Sequence, residues 1–547
     1  MDEPRPLPGW LVAVALVVLL VPIWAFPLFP SQDGPTHVEN ARILLDYARP
    51  DQPALRDFYE RSLDPVPNWF SHLFLAAVLP IAGPVGADKL LLTFYVLALP
   101  LAFRYALTAR RPDAGRRMLL VLPFVYNHFL HLGFYNQAFS AVLFCVVIGF
   151  WLRHEARGGL RETLGLTLLL LWLYFCHAIG LVLAVVGLAV LAGTASAVQL
   201  RTDPRAAVRR LLVAGVASAP ALWLLARFLR SRGEVAYEPG ATLPERFWEL
   251  VRLKELVSYD PREAWFSTAL AVSLLGAVAA LVVAKARRRD WRRDDALLLV
   301  GAAIAGIYFA ARVTVVNNPG SSPGGGTTHD RVSLFVFLSL LLWIAVQPLG
   351  RRAERALVAL ALTTAVGLLV VRLPRYAELN EYLAEYVSLG AMLPRDAVVF
   401  PIGFAPYGAR EDGSALSSRA LPFLHAAAWI AAERGVVDLL NYEADLGYFP
   451  VRFRPGANPY RLMRTGLETV PPCVSLNRYD RLAPRPMDFV LVWAARSADR
   501  AHPCAQAIFR HLEERFDLVA TSMPRGLSQL YRRKASLGRK VTVPRQP

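Results

Sequence analysis

The chain has 547 residues, well beyond the length at which single hydrophobic cores stop growing, so at least two structural units are expected. Hydrophobic residues make up 55% of it and lie in long runs, which excludes an ordinary soluble domain and indicates a polytopic membrane protein. The formal charge of +17 is compatible with nucleic-acid binding, but the basic residues form short clusters between the apolar runs, a pattern that membrane topology explains better.

The first apolar run, residues 9–29, is about 20 residues long and can cross a hydrocarbon core about 30 Å thick. No small-residue cleavage site is evident after it, so we predict an uncleaved first helix. A shorter apolar stretch, residues 69–81, lies between Pro67 and Pro80 and is predicted to be a helix at the membrane surface or dipping into it. Ten further runs bring the predicted transmembrane helices to about 11: residues 88–107, 118–133, 137–152, 162–176, 179–197, 211–228, 266–284, 295–312, 332–349 and 355–371.

Basic residues mark every second connection between these predicted spans. The clusters lie within residues 104–117, 153–161, 201–210, 285–293 and 351–355. Because Lys and Arg in short loops favour the cytoplasmic side, we predict a multi-pass protein of the bacterial inner membrane with its N-terminus in the cytoplasm. The long external segments are then residues 30–87, 229–265, 313–331 and 373–547.

The first external segment begins PSQDGPTHVENARILLDYARP and places Asp33 within a few residues of the membrane interface. Residues 36–48 have the apolar spacing of an amphipathic helix lying on the membrane surface. Thr36 and Glu39 have the spacing of a capping box. Asp33 is therefore either a functional carboxylate or only the cap of the helix that follows it.

With this segment and the later DPVPNWFSHLFLAAVLP, the sequence resembles the GT-C superfamily of membrane glycosyltransferases, which includes protein O-mannosyltransferases, aminoarabinose transferases that modify lipid A, and oligosaccharyltransferases. The likeness covers residues 9–372 in layout and about 30–110 in local motif. It implies a GT-C-like helical fold in which Asp33 is the general base for sugar transfer. The donor would be a polyprenyl-phosphate sugar, and the acceptor an extracytoplasmic glycan, lipid or protein.

Two features depart from the family pattern. Gly34 follows Asp33, where the mannosyltransferases carry an Asp-Glu pair. The Asp-x-Asp arrangement of the oligosaccharyltransferases is missing as well. The sequence therefore predicts no metal ion and no other cofactor.

A candidate for binding the donor phosphate is Arg331, which follows the Gly-rich segment NNPGSSPGGGTTHD at the external end of a predicted span. The planar guanidinium group suits phosphate, although an ordinary interfacial anchor is the alternative. The stretch Gly320 to Gly326 lacks the ending of a nucleotide P-loop and is expected to be a mobile cover that orders on substrate binding.

Six of the ten histidines map to the external face: His37, His72, His128, His131, His177 and His329. We predict that they bind sugar or phosphate rather than zinc, because the sequence offers only one closely spaced pair among them. The candidate substrate-binding residues at this face are His37, Glu39, His128, His131, Tyr135, Asn136, His177, His329, Asp330 and Arg331.

Residues 373–547 mix helical and strand patterns and predict a C-terminal extracytoplasmic α/β domain with a basic tail. Acceptor binding, glycan binding and shielding of the cleft are all open roles for it. If this part is external, Cys473 and Cys504 can pair. A transporter or flippase, or a non-catalytic scaffold in envelope polysaccharide assembly, remains the alternative to a transferase.

Overall fold

The computed structural model describes residues 9–232, 235–238, 240–311, 313–316, 324–325, 328–463 and 467–535. The first part of the chain is almost entirely helical. Its α-helices are α1 (Gly9–Val18), α2 (Val21–Trp24), α3 (Gly34–Asp46), α4 (Pro53–Phe58), α5 (Phe70–Thr108), α6 (His128–His131), α7 (Tyr135–His154), α8 (Leu160–Cys176), α9 (Ala178–Gln199), α10 (Pro204–Arg230), α11 (Leu243–Arg252), α12 (Glu263–Arg288), α13 (Ala296–Ala310), α14 (Thr328–Val346) and α15 (Arg351–Ser388). Short 3-10 helices are Pro112–Phe124, Lys254–Leu256, Arg293–Asp295 and Leu389–Met392.

Among the described residues, seven helices are long and apolar enough to cross a membrane: α5, α7, α9, α10, α12, α14 and α15. Each contains or overlaps one of the predicted spans. Three more predicted spans are shorter apolar helices: residues 9–29 divide into α1 and α2, residues 162–176 form α8, and residues 295–312 form α13. The predicted surface helix at residues 69–81 forms the first part of α5. Helix α5 departs from helical geometry at Gly83, where φ is 68°.

Residues 118–133 were predicted to form a membrane-spanning helix, and they do not form a continuous α-helix. The chain forms the 3-10 helix Pro112–Phe124 and then, after a break, the four-residue α6. Asn127 caps α6 by accepting a hydrogen bond from the Leu130 amide at 3.1 Å. Residues 118–124 are all buried, so their hydrophobicity reflects packing inside the protein, which a hydropathy argument cannot distinguish from exposure to lipid.

Residues 36–48 were predicted to form a helix on the membrane surface, and the predicted exposure of this helix is wrong. Helix α3 occupies residues 34–46, and most of its side chains are buried on several faces, His37 and Glu39 among them. Thr36 lies inside the first turn rather than at the N-cap, and its hydroxyl has no hydrogen-bond partner within the described structure, so no capping box forms. The polar residues that suggested a water-facing side instead face other parts of the protein.

The C-terminal part contains a five-stranded mixed sheet in the order β6-β5-β8-β10-β9. Strand β5 pairs in parallel with β6 and β8, whereas β10 pairs antiparallel with β8 and β9. The strands are β1 (Tyr59–Arg61), β2 (Val235–Glu238), β3 (Val313–Val316), β4 (Gly324–Gly325), β5 (Val398–Gly403), β6 (Val437–Asp438), β7 (Val451–Phe453), β8 (Phe489–Trp493), β9 (Phe516–Thr521) and β10 (Ser528–Arg533). The remaining helices are α16 (Ala427–Arg434), α17 (Tyr442–Leu446), α18 (Pro459–Met463), α19 (Leu476–Leu482), α20 (Ser497–Arg500) and α21 (Pro503–Arg515).

The C-terminal part and the first external segment share a hydrophobic core. Leu55 and Phe58 pack in one buried cluster with Phe400 and Val490 of the sheet. Strand β1 pairs antiparallel with β7, and the predicted boundary between residues 372 and 373 falls inside the continuous helix α15. The segment that carries Asp33 is therefore enclosed between the membrane helices and the C-terminal sheet.

Candidate functional site

The backbone of Asp33 is held against the turn that joins α6 to α7. The amides of Gln32 and Asp33 donate to the carbonyl oxygens of His131 and Leu132, both at 3.0 Å. Gly133 makes this approach possible: its φ is 76°, and a Cβ there would lie 2.3 Å from the Gly34 nitrogen. These contacts with the turn fix the backbone position of Asp33.

Gly34, the departure from the mannosyltransferase pattern, has a steric cause. A Cβ at this position would lie 2.2 Å from both the Ser31 hydroxyl oxygen and the Tyr135 hydroxyl oxygen. That tyrosine donates to Asp88 Oδ1 at 2.6 Å, and its ring stacks on His37 with centroids 5.3 Å apart. Tyr135 therefore takes the space that a side chain after Asp33 would need.

Asp33 is 2% exposed, and both of its carboxylate oxygens have polar neighbours. Tyr442 donates to Oδ2 at 2.8 Å, Gln32 donates to Oδ1 at 3.0 Å, and the Nε2 atom of His425 lies 3.6 Å from Oδ1. Burial raises the pKa of Asp33 to about 7, although the hydrogen bonds from Tyr442 and Gln32 oppose the shift. Asp33 is the N-cap residue of α3, yet its side chain makes no capping hydrogen bond.

A cavity of about 260 Å³ opens beside this carboxylate. Asp33, His37, His177 and Arg331 line it together with Tyr442 and Tyr448 from the C-terminal part. The Arg331 guanidinium lies over the ring of Phe134 at 4.6 Å, and its Nη1 is 3.5 Å from His177 Nε2. Its Nε has no hydrogen-bond partner in the described part of the chain, so this cation has a donor available to a ligand.

Three buried groups meet at the edge of the same cavity. His37 Nδ1 lies 2.9 Å from Glu443 Oε1, and His72 Nε2 lies 3.0 Å from Glu443 Oε2. Burial would lower the pKa of His37, but the Glu443 carboxylate outweighs burial and raises that pKa above its ordinary value. Burial acts to raise the pKa of Glu443. The two histidines outweigh burial and hold this pKa well below its usual range.

Five of the predicted site residues come together here: Asp33, His37, Asn136, His177 and Arg331 all line the cavity. Asn136 also ties the start of α5 in place, because its Oδ1 accepts from the Ser71 amide at 2.9 Å. Tyr135 lies behind His37 and positions it. The Gly-rich stretch Gly320 to Gly326 lies outside the described residues except for β4.

The other predicted site residues lie elsewhere. His128 and His131 lie 3.4 Å and 2.8 Å from the Ser258 hydroxyl oxygen through their Nδ1 atoms. Glu39 is buried near Asp438, and burial, followed by that carboxylate, raises its pKa well above the ordinary value. A separate cluster contains His329 and Asp330, whose Nε2 and Oδ1 atoms are 3.2 Å apart.

The fold that positions this cavity is similar to that of solved structures. No protein-family model matches the chain, and no curated protein matches it significantly. Two cryo-EM structures of the arabinofuranosyltransferase AftD from Mycobacteria do match in fold, each at 14% sequence identity. The R1389S mutant structure has a TM-score of 0.50 over 97% of this chain, and the other has a TM-score of 0.48 over 98%.

This chain shares the fold of AftD. The chain spans 40% and 42% of the length of the two AftD structures. At this identity the likeness establishes the fold alone, and the chemistry of the site has to be argued from its own residues.

The contribution of the C-terminal part to this site was not predicted from the sequence. Tyr442 and Glu443 begin α17, and His425 precedes α16. Tyr442 and His425 approach the carboxylate of Asp33, and Glu443 approaches His37. The run NYEAD at residues 441–445 concentrates polar groups and was the one local signal. Its connection to Asp33, about 410 residues earlier, follows only from the fold.

Proposed function

We propose that the protein transfers a sugar from a polyprenyl-phosphate-linked donor to an extracytoplasmic glycan, lipid or protein, with Asp33 as the general base. The observation that supports it is that a buried carboxylate with a pKa of about 7 and a cation with an unpaired donor, Arg331, line one cavity. A base whose pKa lies near neutral pH is well matched to accepting a proton in the transition state. The GT-C fold supports sugar transfer as the reaction class.

The reaction uses the two groups in complementary roles. Asp33 accepts the proton of the acceptor hydroxyl as that oxygen bonds to the anomeric carbon of the sugar. The bond from this carbon to the phosphate oxygen breaks, and the electron pair leaves with the polyprenyl phosphate. Arg331 stabilises the negative charge that develops there, because a guanidinium group binds phosphate oxygens in a planar fork.

The likeness to the arabinofuranosyltransferase AftD guides the first choice of donor. A pentofuranosyl group such as arabinofuranose on a polyprenyl phosphate is the first substrate to supply, and hexosyl donors follow. The cavity takes donor and acceptor groups from the external side of the membrane in this proposal. The C-terminal part, which supplies Tyr442 and Tyr448, would contact the acceptor.

The test compares Asp33→Asn and Arg331→Gln with the wild type, each in lipid nanodiscs with a radiolabelled donor. We expect Asp33→Asn to reduce transfer by about 10²- to 10⁴-fold, the range typical for loss of a general base. Asp57→Asn, which changes an exposed carboxylate of the same external segment, should keep wild-type activity. Wild-type transfer by Asp33→Asn would refute the proposed mechanism, and a folded wild type inactive with every donor would favour a scaffold.

A further inference from the structure

The cluster of His37, His72 and Glu443 has the arrangement of a metal site. The three residues come from α3, from the start of α5 and from α17, and all three are buried. Each offers one ligand atom, and these atoms all lie within 4.8 Å of one another. We propose that His37, His72 and Glu443 bind one divalent transition-metal ion, for which Zn²⁺ is the best match.

The separations fit tetrahedral coordination. Ligands at about 2.0–2.1 Å from a tetrahedral Zn²⁺ lie about 3.3 Å from each other. His37 Nδ1 and His72 Nε2 are 3.4 Å apart. His37 Nδ1 lies 2.9 Å from Glu443 Oε1, and His72 Nε2 lies 3.0 Å from Glu443 Oε2, so each imidazole already has one carboxylate oxygen close to that spacing.

The outer contacts orient both imidazole rings toward one point. His37 donates from Nε2 to the carbonyl oxygen of Gly133 at 3.0 Å, which leaves Nδ1 as its inward atom. His72 donates from Nδ1 to the carbonyl oxygen of Asn68 at 3.1 Å, which leaves Nε2 inward. Histidines that bind metals characteristically donate their other ring N–H to a carbonyl or carboxylate in this way.

Glu443 is held from its own outer side as well. Asn40 donates from its side-chain nitrogen to Oε2 at 2.6 Å, and the Tyr442 hydroxyl lies 3.5 Å from Oε1. Two imidazoles and one carboxylate converge here, and without a metal ion they must share a proton. A divalent cation replaces that proton and leaves a net charge of +1 on the group.

The proposed ion has three protein ligands and one open position. His37 and Glu443 line the cavity beside Asp33, and the fully buried His72 contacts Glu443. Three ligands with an exchangeable fourth position are typical of zinc sites that bind water or a substrate oxygen. The ion would also tie the first external segment to the C-terminal part, so binding should stabilise the fold.

The test measures metal binding directly and does not depend on transferase activity. The full chain, purified without a polyhistidine tag, is incubated with Zn²⁺, Co²⁺ or Mn²⁺, desalted and analysed for bound metal. We expect about one Zn²⁺ per chain, less than a tenth of that in His72→Gln and Glu443→Gln, and wild-type content in the control His154→Gln. The Co²⁺ form of the wild type should show the visible absorption of tetrahedral cobalt, and a chelator should lower its melting temperature.

Two results would overturn the proposal. One is a folded wild-type chain that retains less than a tenth of an equivalent of every metal, which would mean that a shared proton joins the three groups. The other is metal that remains in His72→Gln and Glu443→Gln but is lost in His329→Ala, which would assign it to the cluster of Glu249, His329 and Asp330. If His72→Gln and Glu443→Gln fail to fold, His329→Ala decides between the two clusters, because a variant that keeps its metal assigns the ion to His37, His72 and Glu443.

Discussion

At Asp33, burial and hydrogen bonding act on one carboxyl group in opposite directions. Removal from water favours the protonated form and raises the pKa from 3.8 to about 7, while donors from Tyr442 and Gln32 favour the ionised form. An ordinary aspartate would be fully ionised at neutral pH and a weak base. The balance at this residue therefore sets the pH range in which it can accept a proton.

Removal of the Tyr442 hydroxyl should shift that range. The hydrogen bond from Tyr442 lowers the pKa of Asp33, so Tyr442→Phe should raise the pKa further above 7. A base works only when deprotonated, so we expect the acidic limb of the transfer rate against pH to move to higher pH. The measurement is the pH profile of transfer between pH 5 and 9 (about two units either side of neutrality).

Tyr448→Phe is the matched control, because Tyr448 lines the same cavity and no hydrogen bond from it to Asp33 is among the described contacts. Its profile should keep the wild-type midpoint. A Tyr442→Phe profile with an unchanged or lower midpoint would contradict the assignment of the limb to Asp33.

At the scale of elements, the turn from α6 to α7 acts as a support for the start of α3. Gly133 combines a positive φ with close contact to the Asp33 and Gly34 backbone. A side chain at this position would push the two segments apart by more than ordinary rotamer changes can absorb. The position of the proposed base thus depends on a residue that does not touch substrate.

Gly133→Ala should reduce transfer by at least about tenfold, since misplacement by about 1 Å is enough to lose that much rate. Gly526→Ala is the control for backbone strain, because Gly526 has a φ of 69° but its nearest contact to an added Cβ is 3.5 Å. The control should lose about 1 kcal/mol of stability and keep its activity. Equal activity in the two variants would show that contact with Asp33 has no role.

The disulfide between Cys473 and Cys504 constrains the C-terminal part. Its sulfurs join residues 31 apart, and closure of such a loop stabilises a fold by about 3 to 4 kcal/mol. Cys504→Ala should therefore lower the melting temperature of the purified protein, and a reductant should lower that of the wild type to a similar value. A melting temperature insensitive to both changes would contradict a structural role for the bond.

At the scale of the whole molecule, composition and the long apolar runs predicted the helical membrane architecture, and mixed patterns predicted both helices and strands within residues 373–547. The sequence could not reveal that residues 118–124 are apolar because protein surrounds them, or that α15 continues past residue 372. Asp33 was found through its position after the first helix. Tyr442, His425 and Glu443 were missed because long-range packing, not spacing along the chain, brings them to it.

The predicted topology can be tested by labelling introduced cysteines, because the native cysteines should not react. Cys473 and Cys504 form a disulfide, and Cys145 and Cys176 are buried, so none of the four native cysteines should react with a membrane-impermeant maleimide. Ser414 is exposed in the C-terminal part, and Ala156 is exposed in the basic connection between α7 and α8.

We expect Ser414→Cys to be labelled in intact spheroplasts and Ala156→Cys only after the membrane is permeabilised, because the basic connections favour the cytoplasm. This orientation also places the Asp33 cavity on the external side, since Tyr442 of the C-terminal part closes it. The reverse labelling would put the cavity in the cytoplasm, where an extracytoplasmic acceptor could not reach Asp33. The same pair of variants therefore tests both the topology and the proposed reaction.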